Sequence, residues 1–89
     1  MTKTDLDLIR KRLLWRAMHR GIKEMDILVG GYAAQHLPIM NAADLQKFEV
    51  LLEIPDQDLL SWATKQETVP AEFSSPMLDG ILSFRPETF

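Results

Sequence analysis

The sequence predicts an all-α protein, a compact bundle of five short helices. Three observations carry this. Apolar residues recur at spacings of three and four along five separate segments, and no segment alternates with the period of two that a half-buried strand requires. Gly21, Pro38, Pro55 and the Ser75-Pro76 pair punctuate the chain where one apolar stripe gives way to the next.

The first stripe is Leu6, Ile9, Leu13, Leu14, Ala17 and Met18, which makes residues 5–19 an amphipathic helix with Arg12 and Arg16 towards its polar side. Ile22, Met25, Leu28, Val29, Tyr32, Ala33 and His36 form the second. At about 100° per residue the two stripes are out of phase by about 100°, and one unbroken helix would turn Arg20 into the first stripe. The chain is therefore expected to break at Gly21, a residue that enters the left-handed region beyond a helix end without a side-chain clash. Pro38 should end the second helix, because the residue before a proline is driven out of the helical region. Asn41 then offers an N-cap with Asp44 three residues on, ahead of Leu45, Phe48, Leu51 and Leu52. Pro55 stops this third helix, and Asp56 reads as the N-cap of a fourth over residues 57–65, carrying Leu59, Leu60 and Trp62. QETVPAEF reads as a loop. Ser75 and Pro76 open a fifth helix marked by Met77, Leu78, Ile81 and Leu82 and weakened by Gly80. Connections of about two to ten residues leave no room for a second domain, so residues 1–89 form one helical-bundle domain with an ordered core over about 5–85.

A chain this short buries only about 60–65% of the surface it exposes when unfolded, which argues against a large internal active site. It has no cysteine, so disulfides, thiolate metal sites and a thiol nucleophile are excluded and a reducing compartment fits. The longest stretch free of charged or strongly polar residues, Ile27–Ala34, is far below the roughly 18 residues needed to cross a bilayer, so no membrane insertion is expected. The opening MTKTDLDL resembles neither a secretory signal nor a transit peptide, and a bacterial cytoplasmic location is the expectation.

Charge is unevenly spread. Residues 1–24 hold seven Lys or Arg against three carboxylates, net +4, while the other 65 residues carry three against ten, net −7. Nucleic-acid binding by the basic part would meet repulsion from the rest of a compact domain, and the basic set has only Trp15 as an aromatic to stack on bases. No nucleic-acid partner is expected, and an acidic patch on another protein is the more economical reading. His19 and His36 lack metal-ligand spacing, so no metal is expected. Asp56 and Asp58 near Trp62 are explained by a cap, a dipole-favoured carboxylate and a core aromatic. No nucleophile–base order, glycine-rich phosphate cradle or dinucleotide fingerprint is present, so the chain is not expected to be an enzyme.

The stretch RGIKE, residues 20–24, is the candidate site. Arg20 and Glu24 stand four apart and could be an ordinary ion pair of about 0.2–0.5 kcal/mol. The phase break weakens that reading, since Glu24 belongs to the first turn of the second helix, where its carboxylate meets the positive end of the dipole. A capped turn with solvated charges and a patch presented to a partner both remain open on physics alone. Arg16, His19 and Lys23 would enlarge the positive side.

HRGIKEMD (19–26) after a basic amphipathic helix, followed by FEVLLEIPDQDLLSW (48–62), resembles the succinate dehydrogenase assembly factors that promote covalent flavinylation. The resemblance runs from about Arg10 to Trp62, and more loosely through Pro70 and the last helix. RGxxE alone is unspecific; joined to LLE-x-PDxDLxxW about 27 residues later in a short acidic chain, it is a much stronger signature. The resemblance implies a five-helix bundle acting as a chaperone-like monomer. Its implied partner is the flavoprotein subunit of succinate dehydrogenase and, in some bacteria, that of fumarate reductase, with FAD belonging to the partner and no cofactor held tightly by this chain. By matching position the resemblance assigns partner contact to Arg20, Gly21 and Glu24, with Asp26 in support and Arg16, His19 and Lys23 around them. His19 fills a position that is often basic in the family, and Gly31 stands where a more polar residue is usual. The alternative from another class is a small helical interaction module, such as an antitoxin-like regulator.

Overall fold

In the computed structural model, which describes residues 2–85, five α-helices follow one another without a strand among the described residues. They are α1 (Lys3–Met18), α2 (Lys23–His36), α3 (Ala42–Leu52), α4 (Asp56–Ala63) and α5 (Pro76–Leu82), with short 3-10 turns at Leu37–Ile39 and Ala71–Phe73. Met1 and residues 86–89 of the expected domain lie outside the described residues.

The helix ends show where local chemistry decides the fold. α1 starts two residues earlier than the apolar pattern suggests, because Thr2 and Asp5 form a reciprocal capping box: the Thr2 hydroxyl accepts from the Asp5 amide at 3.2 Å and the Asp5 carboxylate accepts from the Thr2 amide at 3.3 Å. Asn41 caps α3 as expected, accepting from the Asp44 amide at 2.9 Å, and Ser75 caps α5, accepting from the Leu78 amide at 3.1 Å. α2 ends at His36, ahead of Pro38 as expected, and Pro38 itself sits in a short 3-10 turn that follows. Asp56 is not the cap of α4. Pro55 occupies the cap position with extended backbone, Asp56 is the first helical residue, and its carboxylate is taken by another partner. α4 also ends at Ala63 rather than 65, as Lys65 turns to a φ of 62°.

α1 and α2 lie against each other, α1 also meets α3, and α2 reaches α4 and α5 on its other sides. Phe48, Leu13, Met25 and Leu78 are fully buried at the centre. Small residues set the closeness of α1 and α2: Ala17 and Ala33 are fully enclosed, and a Cβ on Gly30 would come within 3.0 Å of Met18 Cγ and 3.3 Å of the Ala17 carbonyl. Two arginines of α1 staple the thin core from outside. Arg10 donates to the Leu37 carbonyl at 3.0 Å and the Met40 carbonyl at 2.7 Å, and Arg16 pairs with Glu53 at 2.9 Å and Glu49 at 3.6 Å. Along α2, the Tyr32 ring stacks between His36 and Phe48, and burial, with the Asp44 charge second, raises its hydroxyl pKa above the ordinary 10.

Gly31 has a local explanation. The Phe84 ring lies over its Cα, in the space a side chain would need. Gly31→Ala should therefore push the Phe84 ring aside, at a net cost of about 1 kcal/mol or less because the ring is the far end of a side chain beyond the last helix. In a Phe84→Ala background the same change should be neutral or stabilising, because alanine exceeds glycine in a helix interior by about 0.5–1 kcal/mol. A urea-denaturation double-mutant cycle reads this coupling, and equal costs in both backgrounds would show that the ring is elsewhere.

Candidate functional site

Residues 19–22 connect α1 to α2, and the candidate stretch 19–26 runs on into the first turn of α2. α1 ends at Met18, and the chain reverses through Gly21, whose φ of 120° lies in the region that favours glycine. An added Cβ there would also stand 3.5 Å from Asp56 Oδ2, so a longer side chain would lie across the neighbouring carboxylate.

That carboxylate belongs to the ion pair that organises the turn. Arg20 Nε donates to Asp56 Oδ1 at 2.7 Å, while its two terminal nitrogens donate to the Leu52 and Ile54 carbonyls, both at 2.6 Å. The side chain of Arg20 is only 9% exposed and that of Asp56 20%. Outward display of Arg20, expected from the sequence, is thus corrected: the guanidinium is folded into the α3–α4 junction. The reason is electrostatic. The carbonyl of Leu52, the last residue of α3, and that of Ile54 just beyond it lie at the negative end of the α3 dipole, where the fan of arginine donors satisfies them; the first turn of α4 carries the positive end of its own dipole, which favours Asp56.

The Arg20 amide donates to Asp26 Oδ1 at 2.5 Å, so Asp26 closes the turn back onto α2. Arg16 is half-engaged by its bridges to α3. His19 is exposed and stacks on Trp15 with ring centroids 4.1 Å apart; its Nδ1–H donates to the Trp15 carbonyl at 2.7 Å, which leaves Nε2 as the open ring nitrogen. Gly21, Lys23 and Glu24 are exposed. Glu24 has no ion-pair or hydrogen-bond partner among the described residues, which removes the reading of an Arg20–Glu24 pair. No side chain caps α2, whose cap position is Ile22. The structure therefore brings the seven candidate residues into one turn but divides them: Arg20, Asp26 and Arg16 brace it, while His19, Gly21, Lys23 and Glu24 form its outer surface. Asp56 is the residue sequence reasoning missed in this role, and the inward phase of Arg20 was the signal for it.

Among the described residues no cluster of three or more metal-ligating side chains occurs. A pocket of about 670 Å³ between α2, α3 and the start of α5 is lined largely by apolar residues such as Ile39, Val50 and Phe73. Its ionisable groups are Asp44, Glu72, Lys47 and His36.

A family model described as flavinator of succinate dehydrogenase matches residues 11–85. The FAD assembly factor SdhE of Acetobacter pasteurianus is 42% identical over 78 residues, covering 88% of this chain and 72% of that protein. The mitochondrial succinate dehydrogenase assembly factor 2 of Dictyostelium discoideum is 32% identical over 75 residues, covering 84% of this chain and 53% of its own length. That of Saccharomyces cerevisiae is 42% identical over 64 residues, 72% of this chain and 40% of its own. The chain thus spans about half or less of these mitochondrial relatives.

Breaking the buried pair should be felt as stability. Arg20→Ala should cost about 3 kcal/mol, at the lower end for a buried ion pair because Asp56 keeps some solvent contact, and Arg20→Lys should recover less than half of it for want of the donor fan. Lys23→Ala should stay within about 0.5 kcal/mol. Urea denaturation compares the three; an Arg20→Ala cost as small as that of Lys23→Ala would contradict the buried geometry.

Proposed function

This chain belongs to the family described as flavinator of succinate dehydrogenase, and on that premise we propose that it binds the flavoprotein subunit of succinate dehydrogenase and promotes covalent attachment of FAD to it. The flavoprotein subunit of fumarate reductase is a second partner of the same chemistry. The carrying observation is the braced turn: His19, Gly21, Lys23 and Glu24 are held outward on a backbone tied to α2 by Asp26 and to the α3–α4 junction by Arg20. Rigidity of that kind lowers the ordering cost of docking.

The outer surface carries mixed charge at short range, with Glu24 beside Lys23 and His19. One anion among cations fixes the orientation of a partner more than it adds affinity. Gly21 lets a partner's backbone approach closely. The contribution of the chain is conformational, that of a chaperone rather than an enzyme: it favours the arrangement of the partner's FAD domain that is competent for attachment, while the flavin and the reacting histidine are the partner's own. No helix among the described residues is long and apolar enough to cross a membrane, and together with the bacterial relative this supports action in a bacterial cytoplasm, where the flavoprotein meets FAD.

Glu24→Ala tests the reading cleanly, because Glu24 is exposed and braces nothing. Gly21→Arg, by contrast, strains the backbone and crowds Asp56, so it should lower stability as well as docking. In cells lacking the wild-type gene, Glu24→Ala should leave the protein folded and abundant while covalent flavin fluorescence on the flavoprotein subunit falls about tenfold. Undiminished fluorescence with Glu24→Ala would remove the turn from the function.

A further inference from the structure

The outward face of α1 carries an apolar and cationic stripe that the bundle does not use. Leu8 is 60% exposed and Trp15 63%, although both are large apolar residues. They stand one heptad apart, and at about 100° per residue Leu8, Lys11, Arg12, Trp15 and His19 share a sector about 100° wide, opposite the buried Leu13 and Ala17. From Leu8 to His19 the stripe is about 17 Å long, at 1.5 Å per residue.

Three features distinguish it from an ordinary solvated face. Lys11 and Arg12 have no ion-pair partner among the described residues, whereas Arg10, Arg16 and Arg20 are each paired. The Trp15 indole is already oriented by its stack on His19, which is itself tied to the Trp15 carbonyl, so little side-chain freedom remains to be lost on docking. And His19 belongs both to the stripe and to the turn, making the two surfaces continuous.

We propose that this stripe is a second strip of the docking surface, on which the flavoprotein subunit seats an apolar hollow over Trp15 and Leu8 and sets carboxylates against Lys11 and Arg12. The inference rests on the functional reading above and extends it from the turn to the length of α1. Charge selects this occupant: unpaired cations flanking an aromatic call for an acidic rim around an apolar pocket. With three large exposed apolar side chains, Leu8, Trp15 and Met18, and an inner face committed to the core, α1 offers little to a lipid surface.

The test uses the full chain and the purified flavoprotein subunit lacking covalent flavin. Trp15→Ala should unfold at the same temperature as wild type yet bind about 30-fold more weakly, the size expected of an interface hot spot, and Trp15→Phe should recover part of the loss. Lys11→Glu with Arg12→Glu should weaken binding at low salt, with the difference shrinking as salt rises. Wild-type binding that Trp15→Ala leaves unchanged would overturn the stripe and spare the turn. Wild-type chain that does not bind the subunit at all would remove the functional reading and the stripe with it. Trp15-dependent binding to anionic vesicles, or Trp15-dependent self-association in sedimentation, without an effect on the subunit, would assign the stripe to another occupant and overturn the proposal.

Discussion

The ion pair of Arg20 with Asp56 is the interaction on which the rest of this small fold depends. It joins the first hinge of the chain to the junction of its third and fourth helices, two places 36 residues apart. Arginine suits the position and lysine would not, because three acceptors on separate backbone and side-chain groups must be met by one planar fan of donors. Both ends of the pair are favoured by helix dipoles that run in opposite senses at the junction. The two halves of the sequence signature, RGxxE and PDxDLxxW, are therefore two sides of one contact. Gly21 fits the same constraint, since its neighbour is the carboxylate that Arg20 holds.

The charge asymmetry of the chain takes on a different meaning once that contact is seen. Much of the excess positive charge in residues 1–24 is answered inside the molecule, Arg16 by Glu49 and Glu53 and Arg20 by Asp56. A basic first helix against an acidic remainder is thus in large part an internal complement that orients α1 on α3 and the junction. Partly exposed bridges of this kind add little energy singly, but they select one packing of α1 over its rotations. What is left without an ion pair among the described residues, Lys3, Lys11, Arg12 and Lys23, is a small set on α1 and at the start of α2.

Much of the fold was legible because its punctuation is written in single residues. Asn41 and Ser75 are caps whose side chains have one obvious use, and Gly21 stands where two apolar stripes fall out of phase. The start of α1 was not legible from apolar spacing, because Thr2 and Asp5 begin the helix before its first buried residue. Arg20 is the instructive position. The helical wheel turns it towards the core; the chain breaks there as the phase of the two stripes requires, and the side chain still goes inward. Its acceptors were invisible because two of them are backbone carbonyls, which every residue possesses and no letter of the sequence marks. Asp56 was visible but ambiguous: after a proline, an aspartate serves equally as a cap or as the first residue of a helix, and only the arriving guanidinium decides between them.

The turn also breaks two local rules at once. α2 begins without a side-chain cap, and its first residue is Lys23, a cation placed against the positive end of the helix dipole, where like charge is unfavourable by about 0.3–1 kcal/mol. α1, α3 and α5 carry side-chain caps, whereas α4, like α2, begins without one; α1 likewise opens on a lysine, Lys3, and α2 offsets its own with Glu24 and Asp26 in the same first turn. Conflicts of this sort concentrate where a surface serves something other than folding. The turn is nonetheless held, by Asp26 on the Arg20 amide and by the Arg20 guanidinium on the α3–α4 junction, so that an uncapped helix start leaves an outer surface fixed in place for something other than folding.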